Sequence, residues 1–277
     1  MTAIPDIMLN NGRTIPQFGF GVFQIRPEDT TAAVAAALQA GYRHIDTAEM
    51  YGNEKQVGEA IARSGLDRSD VFVTTKLGND AHVPDDARRA FSESLSALGF
   101  DYVDLFLIHW PLPTRYGGDY VSTWETLVEF YRDGRARSIG VSNFQPHHLR
   151  RLHEESQTRP AVNQVEVHPF LTQPGLRAFC AEHEIAVEAW SPLAQGRVLG
   201  DPEIVSIADR VGKTPAQVVL RWHVERGDII FPKSVTPARI QENIDIFDFE
   251  LSGEEVETIS ALDRGERTGP DPDTFAG

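Results

Sequence analysis

Val71-Phe72-Val73-Thr74-Thr75-Lys76 is a short run of β-branched and aromatic residues that ends on a lysine. Asp85 to Leu98 follows it, amphipathic at helical spacing, and stops at Gly99, a residue suited to a helix C-terminus. Val103-Asp104-Leu105-Phe106-Leu107-Ile108-His109 is a second apolar run, and it ends on a histidine. Strand, helix and strand in this order make one parallel β/α unit.

The same alternation extends both ways along the chain. Upstream lie Phe18-Gly19-Phe20-Gly21 and His44-Ile45-Asp46-Thr47-Ala48. Downstream lie Ser138-Ile139-Gly140-Val141-Ser142-Asn143, Val162-Asn163-Gln164-Val165-Glu166-Val167, Ala186-Val187-Glu188-Ala189-Trp190 and Ile229-Ile230-Phe231-Pro232-Lys233. With the central pair this gives eight candidate strands. Helices fall between them: Thr30 to Ala40 stops at Gly41, and Thr214-Pro215 opens another with proline in its first turn. Eight β/α units in roughly 250 residues predict an α/β fold, the (β/α)8 TIM barrel, with a doubly wound open sheet as the rival. Ile7 to Ile15, turning at Asn11-Gly12, predicts a short N-terminal β-hairpin. No repeat or interdomain linker interrupts the pattern, so residues 1–277 are expected to form a single barrel domain. The tail from Arg264 to Gly277, rich in Gly, Pro and Asp, reads as a mobile or surface-hugging loop.

Composition narrows the function. The formal net charge of −15 argues against a broad nucleic-acid surface, because phosphates repel an acidic protein. It leaves room for an anionic cofactor held by local cations. No stretch approaches the roughly 20 apolar residues of a membrane span, and the N-terminus lacks a signal-peptide pattern. The single cysteine, Cys180, reads as a small core hydrophobe, consistent with a reducing cytoplasm.

A dinucleotide fingerprint is missing. Gly19-Phe20-Gly21 begins like the Gly-rich turn of a Rossmann unit, but the next required glycine is Gln24, and the motif precedes any full βαβ unit. The phosphate-binding P-loop is also absent. Any dinucleotide must be held by another device.

Chemistry gathers instead at the ends of the apolar runs. Asp46, Lys76 and His109 each close one, and Tyr51 follows Asp46 in a loop. Singly, each has an ordinary structural reading. In a β/α barrel they converge at the C-terminal mouth, where such folds place catalysis. A free tyrosine, with a pKa of about 10, is a weak acid at neutral pH. An adjacent ammonium lowers that value, and a buried lysine needs a counter-ion, which Asp46 supplies. A histidine can orient a substrate oxygen. His44 and Asp46 alternate on one strand, but no fuller ligand cluster supports a metal.

At this point the sequence resembles the aldo-keto reductase superfamily. The matching segments are His44-Ile45-Asp46-Thr47-Ala48 with Tyr51-Gly52-Asn53-Glu54, Thr75-Lys76-Leu77, and Leu107-Ile108-His109-Trp110-Pro111. Ile139-Gly140-Val141-Ser142-Asn143-Phe144, Asn163-Gln164-Val165-Glu166, Trp190-Ser191-Pro192-Leu193 and Pro232-Lys233-Ser234-Val235 continue the match in family order. The overall look is nearest to bacterial 2,5-diketo-D-gluconate reductase-like members. The resemblance implies a barrel that binds NADPH across its mouth and reduces a small-molecule carbonyl substrate. Tyr51 resembles the family's acid, Lys76 and Asp46 its tuning pair, and His109 its carbonyl orienter. Ser142, Asn143 and Gln164 resemble the carboxamide-binding set, and Trp190 the aromatic platform under the nicotinamide. Ser191, Leu193, Gln195 and Gly196 resemble the pyrophosphate loop. Lys233, Ser234, Val235, Arg239, Glu242 and Asn243 resemble the adenosine end. Many relatives are monomers, and the same is expected here.

Lys233 and Arg239 flank a strand-to-helix turn, which suits a dianionic phosphate and favours NADP over NAD. Two positions depart from the pattern. Thr236 stands where relatives often carry arginine, which weakens the charge for that phosphate. Gly78 stands where many relatives have tryptophan, which predicts a wider, more mobile substrate mouth walled by Phe23, Met50, Trp110 and Phe144. A cofactor-binding regulatory barrel without turnover is the alternative reading. That class usually carries an extra N-terminal segment and has no need of all four candidate catalytic residues.

Overall fold

The computed structural model describes residues 4–277. Strands β1 (Asp6–Met8) and β2 (Thr14–Pro16) form an antiparallel hairpin. The barrel strands are β3 (Phe20–Gly21), β4 (His44–Asp46), β5 (Phe72–Leu77), β6 (Leu105–Ile108), β7 (Ile139–Ser142), β8 (Val162–Glu166), β9 (Ala186–Trp190) and β10 (Ile229–Ile230). Helices α1 (Pro27–Ala40), α2 (Glu54–Ala62), α3 (Pro84–Leu98), α4 (Tyr120–Arg132), α5 (Pro146–Glu155), α6 (Pro174–Glu182), α7 (Pro202–Val211), α8 (Pro215–Glu225), α9 (Pro237–Ile244) and α10 (Gly253–Ser260) surround them.

The eight barrel strands pair in chain order, all parallel. A parallel bridge from Phe18 to Ile230 joins the two edges. Ile230 N donates to Gln17 O at 3.0 Å, and Gly19 N donates to Ile230 O at 2.7 Å. The sheet is thus a closed barrel, and the open doubly wound alternative is excluded. The elements agree with expectation except at their ends. Pro27 and Pro84 start α1 and α3 earlier than expected, because proline fits a first helical turn. Gly41 and Gly99 stop them in left-handed conformation, at φ 106° and 71°. β10 is shorter than expected, so Phe231 to Lys233 already belong to the mouth.

Alternation along β6 shows how the core divides. Leu105 and Leu107 point inward and pack with Val162, Ile229 and the hairpin residues Leu9 and Ile15, so the hairpin plugs the barrel floor. Phe106 points outward and lies 4.3 Å, centroid to centroid, from Phe91 of α3. The Gly19-Phe20-Gly21 pattern has a packing cause. A Cβ on Gly19 would come within 2.8 Å of the His44 ring, and one on Gly21 within 2.7 Å of the Phe231 carbonyl. These glycines let backbone and ring approach. Cys180 is a fully buried free thiol, as expected of a core residue.

The C-terminal tail is anchored over the mouth. Arg264 N and Glu266 N donate to Phe170 O at 3.3 and 3.0 Å. Thr268 N and Oγ1 both donate to buried Glu166 at 2.5 Å. Asp273 lies 3.0 Å from His147 and 3.5 Å from His148, and Phe275 packs on Trp110 at 4.4 Å. No helix among the described residues is long and apolar enough to cross a membrane.

Candidate active site

Parallel register brings the polar strand ends to one rim. Asp46 ends β4, Lys76 sits one residue from the end of β5, and His109 directly follows β6. Tyr51 lies in a short 3-10 turn, Glu49–Tyr51, closed by Gly52 at φ 65°. The Lys76 ammonium donates to Asp46 Oδ1 and Oδ2 at 2.8 and 2.9 Å, to Thr47 O at 2.9 Å, and meets the Tyr51 hydroxyl at 3.3 Å. The His109 ring stands edge-on to Tyr51, with centroids 5.8 Å apart. The four residues expected to act together are therefore adjacent.

Electrostatics correct one expectation. Burial pushes the Tyr51 phenol above its ordinary value; Lys76 pulls it down but does not prevail. The phenol stays protonated throughout the neutral range. Burial and the Lys76 charge hold His109 well below its usual value, so the imidazole is neutral. Burial depresses the affinity of Lys76 for its proton, but Asp46 and Tyr51 more than restore it, leaving the ammonium charged.

The residues expected to hold a carboxamide lie beside this cluster. Ser142 Oγ donates to Gln164 O at 2.8 Å. Asn143, in a left-handed conformation at φ 65°, donates through Nδ2 to His109 O at 3.0 Å and to Ser142 Oγ at 3.1 Å. Its Oδ1 accepts the Trp190 indole N–H at 2.8 Å, which fixes the indole plane. Asn143 is thus already engaged within the protein. Gln164 Nε2 donates to Asp46 Oδ2 at 2.8 Å and to Glu188 Oε2 at 2.7 Å. Ser191 is left-handed at φ 50°, Leu193 caps an irregular 3-10 segment, Ala194–Gly200, and within it Gln195 and Gly196 stand at φ 56° and 89°.

At the expected adenosine end, Lys233, Val235 and Arg239 are exposed, and neither cation forms an ion pair among the described residues. Ser234 Oγ accepts Thr236 N at 3.1 Å, and α9 begins at Pro237 without a side-chain cap. Glu242 accepts a bond from Thr214 at 2.9 Å, and Asn243 is buried. Two exposed cations beside an uncapped helix start fit an anionic group.

The substrate wall differs from expectation. Gly78 is buried, and its N–H donates to Glu49 Oε2 at 2.9 Å. A Cβ there would lie 2.7 Å from that oxygen, so Glu49 fills the space that a side chain at 78 would take. The wall is occupied by a carboxylate rather than left open. Phe23 and Met50 are 55% and 54% exposed, Trp110 is 8% exposed, and Phe23 lies 5.0 Å from Tyr51. Phe144 is not a wall residue; it is fully buried against Tyr120 and His148. Gly78→Trp must eject Glu49, so substrate KM for small aldehydes is expected to change at least about threefold, roughly what a lost hydrogen bond is worth. An unchanged KM would contradict this packing.

Known proteins now place the chain. The aldo/keto reductase family pattern matches residues 17–264. The chain belongs to the aldo/keto reductase family. An aldo-keto reductase of Mycolicibacterium smegmatis is 55% identical over 271 residues, covering 98% of each chain. A protein named methylglyoxal reductase DkgA, from Escherichia coli strain K12, is 47% identical over 273 residues, again covering 98% of each. The crystal structure of a Bombyx mori aldo-keto reductase in complex with NADP superposes with a TM-score of 0.92 at 40% identity, covering 99% of this chain and 97% of that one.

Sequence reasoning missed Glu188 and Glu49, and of the tail it gave a mobile or surface-hugging loop without its contacts at the mouth. Glu188 alternates inward on β9, one strand over from Gln164, a signal that strand register alone could supply. Burial and the neighbouring Asp46 push its carboxyl from an ordinary 4.5 up to about 8. Between those values the folded protein keeps a proton that the unfolded chain has released, so stability falls as pH rises through this window. Glu188→Gln carries no such proton. Its denaturant stability relative to the parent should therefore rise by roughly 3–4 kcal/mol between about pH 5 and 8, since one proton held across each of three pH units is worth at most about 1.4 kcal/mol per unit. Parallel pH curves would contradict this.

Proposed function

We propose that this aldo-keto reductase uses NADPH to reduce aldehydes, ketones or α-dicarbonyls to alcohols, with Tyr51 as the proton donor. One observation carries the reading: a protonated phenol stands 3.3 Å from a buried ammonium that is itself paired with Asp46. When bound, NADPH supplies a hydride equivalent for the carbonyl carbon. His109, neutral, donates a hydrogen bond to the carbonyl oxygen and aims it. Tyr51 donates a second. As negative charge grows on that oxygen, the phenol proton crosses to it. An alkoxide is a far stronger base than a phenolate, so the donor must be protonated rather than unusually acidic, and burial keeps it so. The phenolate left behind lies beside Lys76, whose charge stabilises it, and Asp46 keeps Lys76 charged.

Gln164 and Ser142, with Asn143, hold the carboxamide in this reading, and Trp190 presents its fixed indole to the nicotinamide. Ser191, Leu193, Gln195 and Gly196 follow the pyrophosphate. Lys233, Ser234, Val235, Arg239, Glu242 and Asn243 take the adenosine end, where the exposed cations suit a 2′-phosphate. Phe23, Met50 and Trp110 wall the substrate, with Gly78 and Glu49 on the remaining side. The name of the Escherichia coli relative favours small α-dicarbonyls.

The test is steady-state consumption of NADPH and NADH with methylglyoxal, in the parent protein and in Arg239→Ala. NADPH is the expected better cofactor, and losing one charge-assisted bond should raise its KM about tenfold while leaving NADH unchanged. No turnover of any α-dicarbonyl or simple aldehyde would overturn the reading, and an equal loss with NADH would remove Arg239 from the phosphate.

A further inference from the structure

Gln164 is a primary amide, and its nitrogen and oxygen exchange places on a half-turn about its last bond. Only its partners decide which end points where. The β8–β9 register sets Gln164 directly opposite Glu188. One amide N–H goes to Asp46 Oδ2 at 2.8 Å and the other to Glu188 Oε2 at 2.7 Å. Both donors are spent on acids from different strands, so the carbonyl oxygen is the atom left for the mouth. That oxygen accepts no hydrogen bond from the described residues. The strand itself is held separately, by Ser142 Oγ at 2.8 Å and Asn143 N at 2.9 Å on Gln164 O.

We propose that Glu188 is a positioning residue for the cofactor carboxamide: by taking the second N–H of Gln164, it fixes that amide with its oxygen toward the mouth. The inference rests on the reading that Gln164 meets the nicotinamide carboxamide. Asp46 admits only the nitrogen end of the amide, but it already serves Lys76 with both oxygens and takes only one amide N–H, so the second N–H has no acceptor without Glu188. Glu188 suits the task because no cation among the described residues is committed to it. Lys76 belongs to Asp46. From β4, His44 approaches Glu188 Oε1 only to 4.0 Å and is bonded to Thr74 at 3.0 Å. β10 offers only Ile229 and Ile230. Glu188 Oε1 has no hydrogen-bond partner among the described residues. Burial and Asp46 push the Glu188 carboxyl up to about 8, so it is a neutral acid at pH 7; with its proton on the unpartnered Oε1, Oε2 accepts the amide N–H without adding a second charge beside Asp46. A carboxamide reaching the mouth then finds an acceptor for its NH2 group, and a ligand without that group does not.

The experiment compares the equilibrium affinity of NADPH with that of its reduced 3-acetylpyridine analogue, which lacks the amide NH2. Cofactor fluorescence reads both without turnover. The parent protein should prefer NADPH about tenfold, the worth of one such bond. Glu188→Met removes the acceptor at similar volume and should shrink the preference to about twofold or less. Glu188→Gln, which still offers an acceptor oxygen, should retain it. A merely structural residue would weaken both ligands alike and leave the ratio unchanged; a tenfold preference in folded Glu188→Met overturns the proposal. No preference in the parent protein would instead remove Gln164 from the carboxamide, which is a failure of the underlying reading. A neutron structure of the parent protein tests the orientation without any variant: deuterons on Gln164 Nε2 should face Asp46 and Glu188. Finding that nitrogen turned to the mouth would overturn the proposal even if Glu188→Met did not fold.

Discussion

Tyr51→Phe should lose about 100- to 10,000-fold in kcat with methylglyoxal, the range that a positioned proton donor contributes. The substitution removes one oxygen and keeps the ring. That ring packs 5.0 Å from Phe23 and 5.8 Å from His109, and these contacts survive. Only the 3.3 Å contact with Lys76 is deleted. NADPH affinity should change less than about threefold, because the cofactor residues proposed above do not include Tyr51. The expected signature is therefore a loss confined to the chemical step, measured by kcat beside a fluorescence titration of NADPH. A matched loss in both would mean that the hydroxyl holds the cofactor rather than the proton.

Asp46→Asn should be the most destabilising single change at the site. Lys76 is fully buried, and among the described residues only Asp46 pairs a carboxylate with it. Removing one partner of a buried ion pair typically costs about 3–5 kcal/mol. For a chain of this size that corresponds to a fall in Tm on the order of 10 °C. Asparagine keeps the shape, and Thr47 O remains at 2.9 Å, but neither carries a charge. Lys76 then releases its proton more readily, so the deficit should shrink as pH rises. Activity should fall with stability, since an uncharged amine no longer stabilises phenolate. Thermal unfolding from about pH 6 to 9 reads both effects; a Tm within about 2 °C of the parent at neutral pH would show that the pair is not needed for folding.

Much of this is legible in the chain. Alternating apolar runs and amphipathic segments carry the barrel, because a parallel sheet buried on both faces needs continuous hydrophobic strands. Lys76 and His109 stand out because each is an ionisable residue ending such a run. The rest depends on contacts between distant segments. Closure at Phe18 and Ile230 joins the first strand to the last, and nothing local in either marks the other. Gly78 is an absence in the sequence; Glu49 fills it from 29 residues away. The tail reads as a loop because it is rich in Gly, Pro and Asp, yet Glu166 and Trp110 anchor it across the mouth. The net direction of the Tyr51 shift is hidden because proximity to Lys76 is visible in the pattern, whereas the depth of burial that outweighs it is not.

The proton assignment is tested most directly in reverse. The group that donates the proton in reduction must accept it when an alcohol is oxidised with NADP. Because Tyr51 ionises above its ordinary value, oxidation should accelerate about tenfold per pH unit between about pH 7 and 9, the slope of a single ionisation. In Tyr51→Phe the residual rate should be flat over the same range. A rise of undiminished slope in Tyr51→Phe would contradict the account and assign the proton to another group.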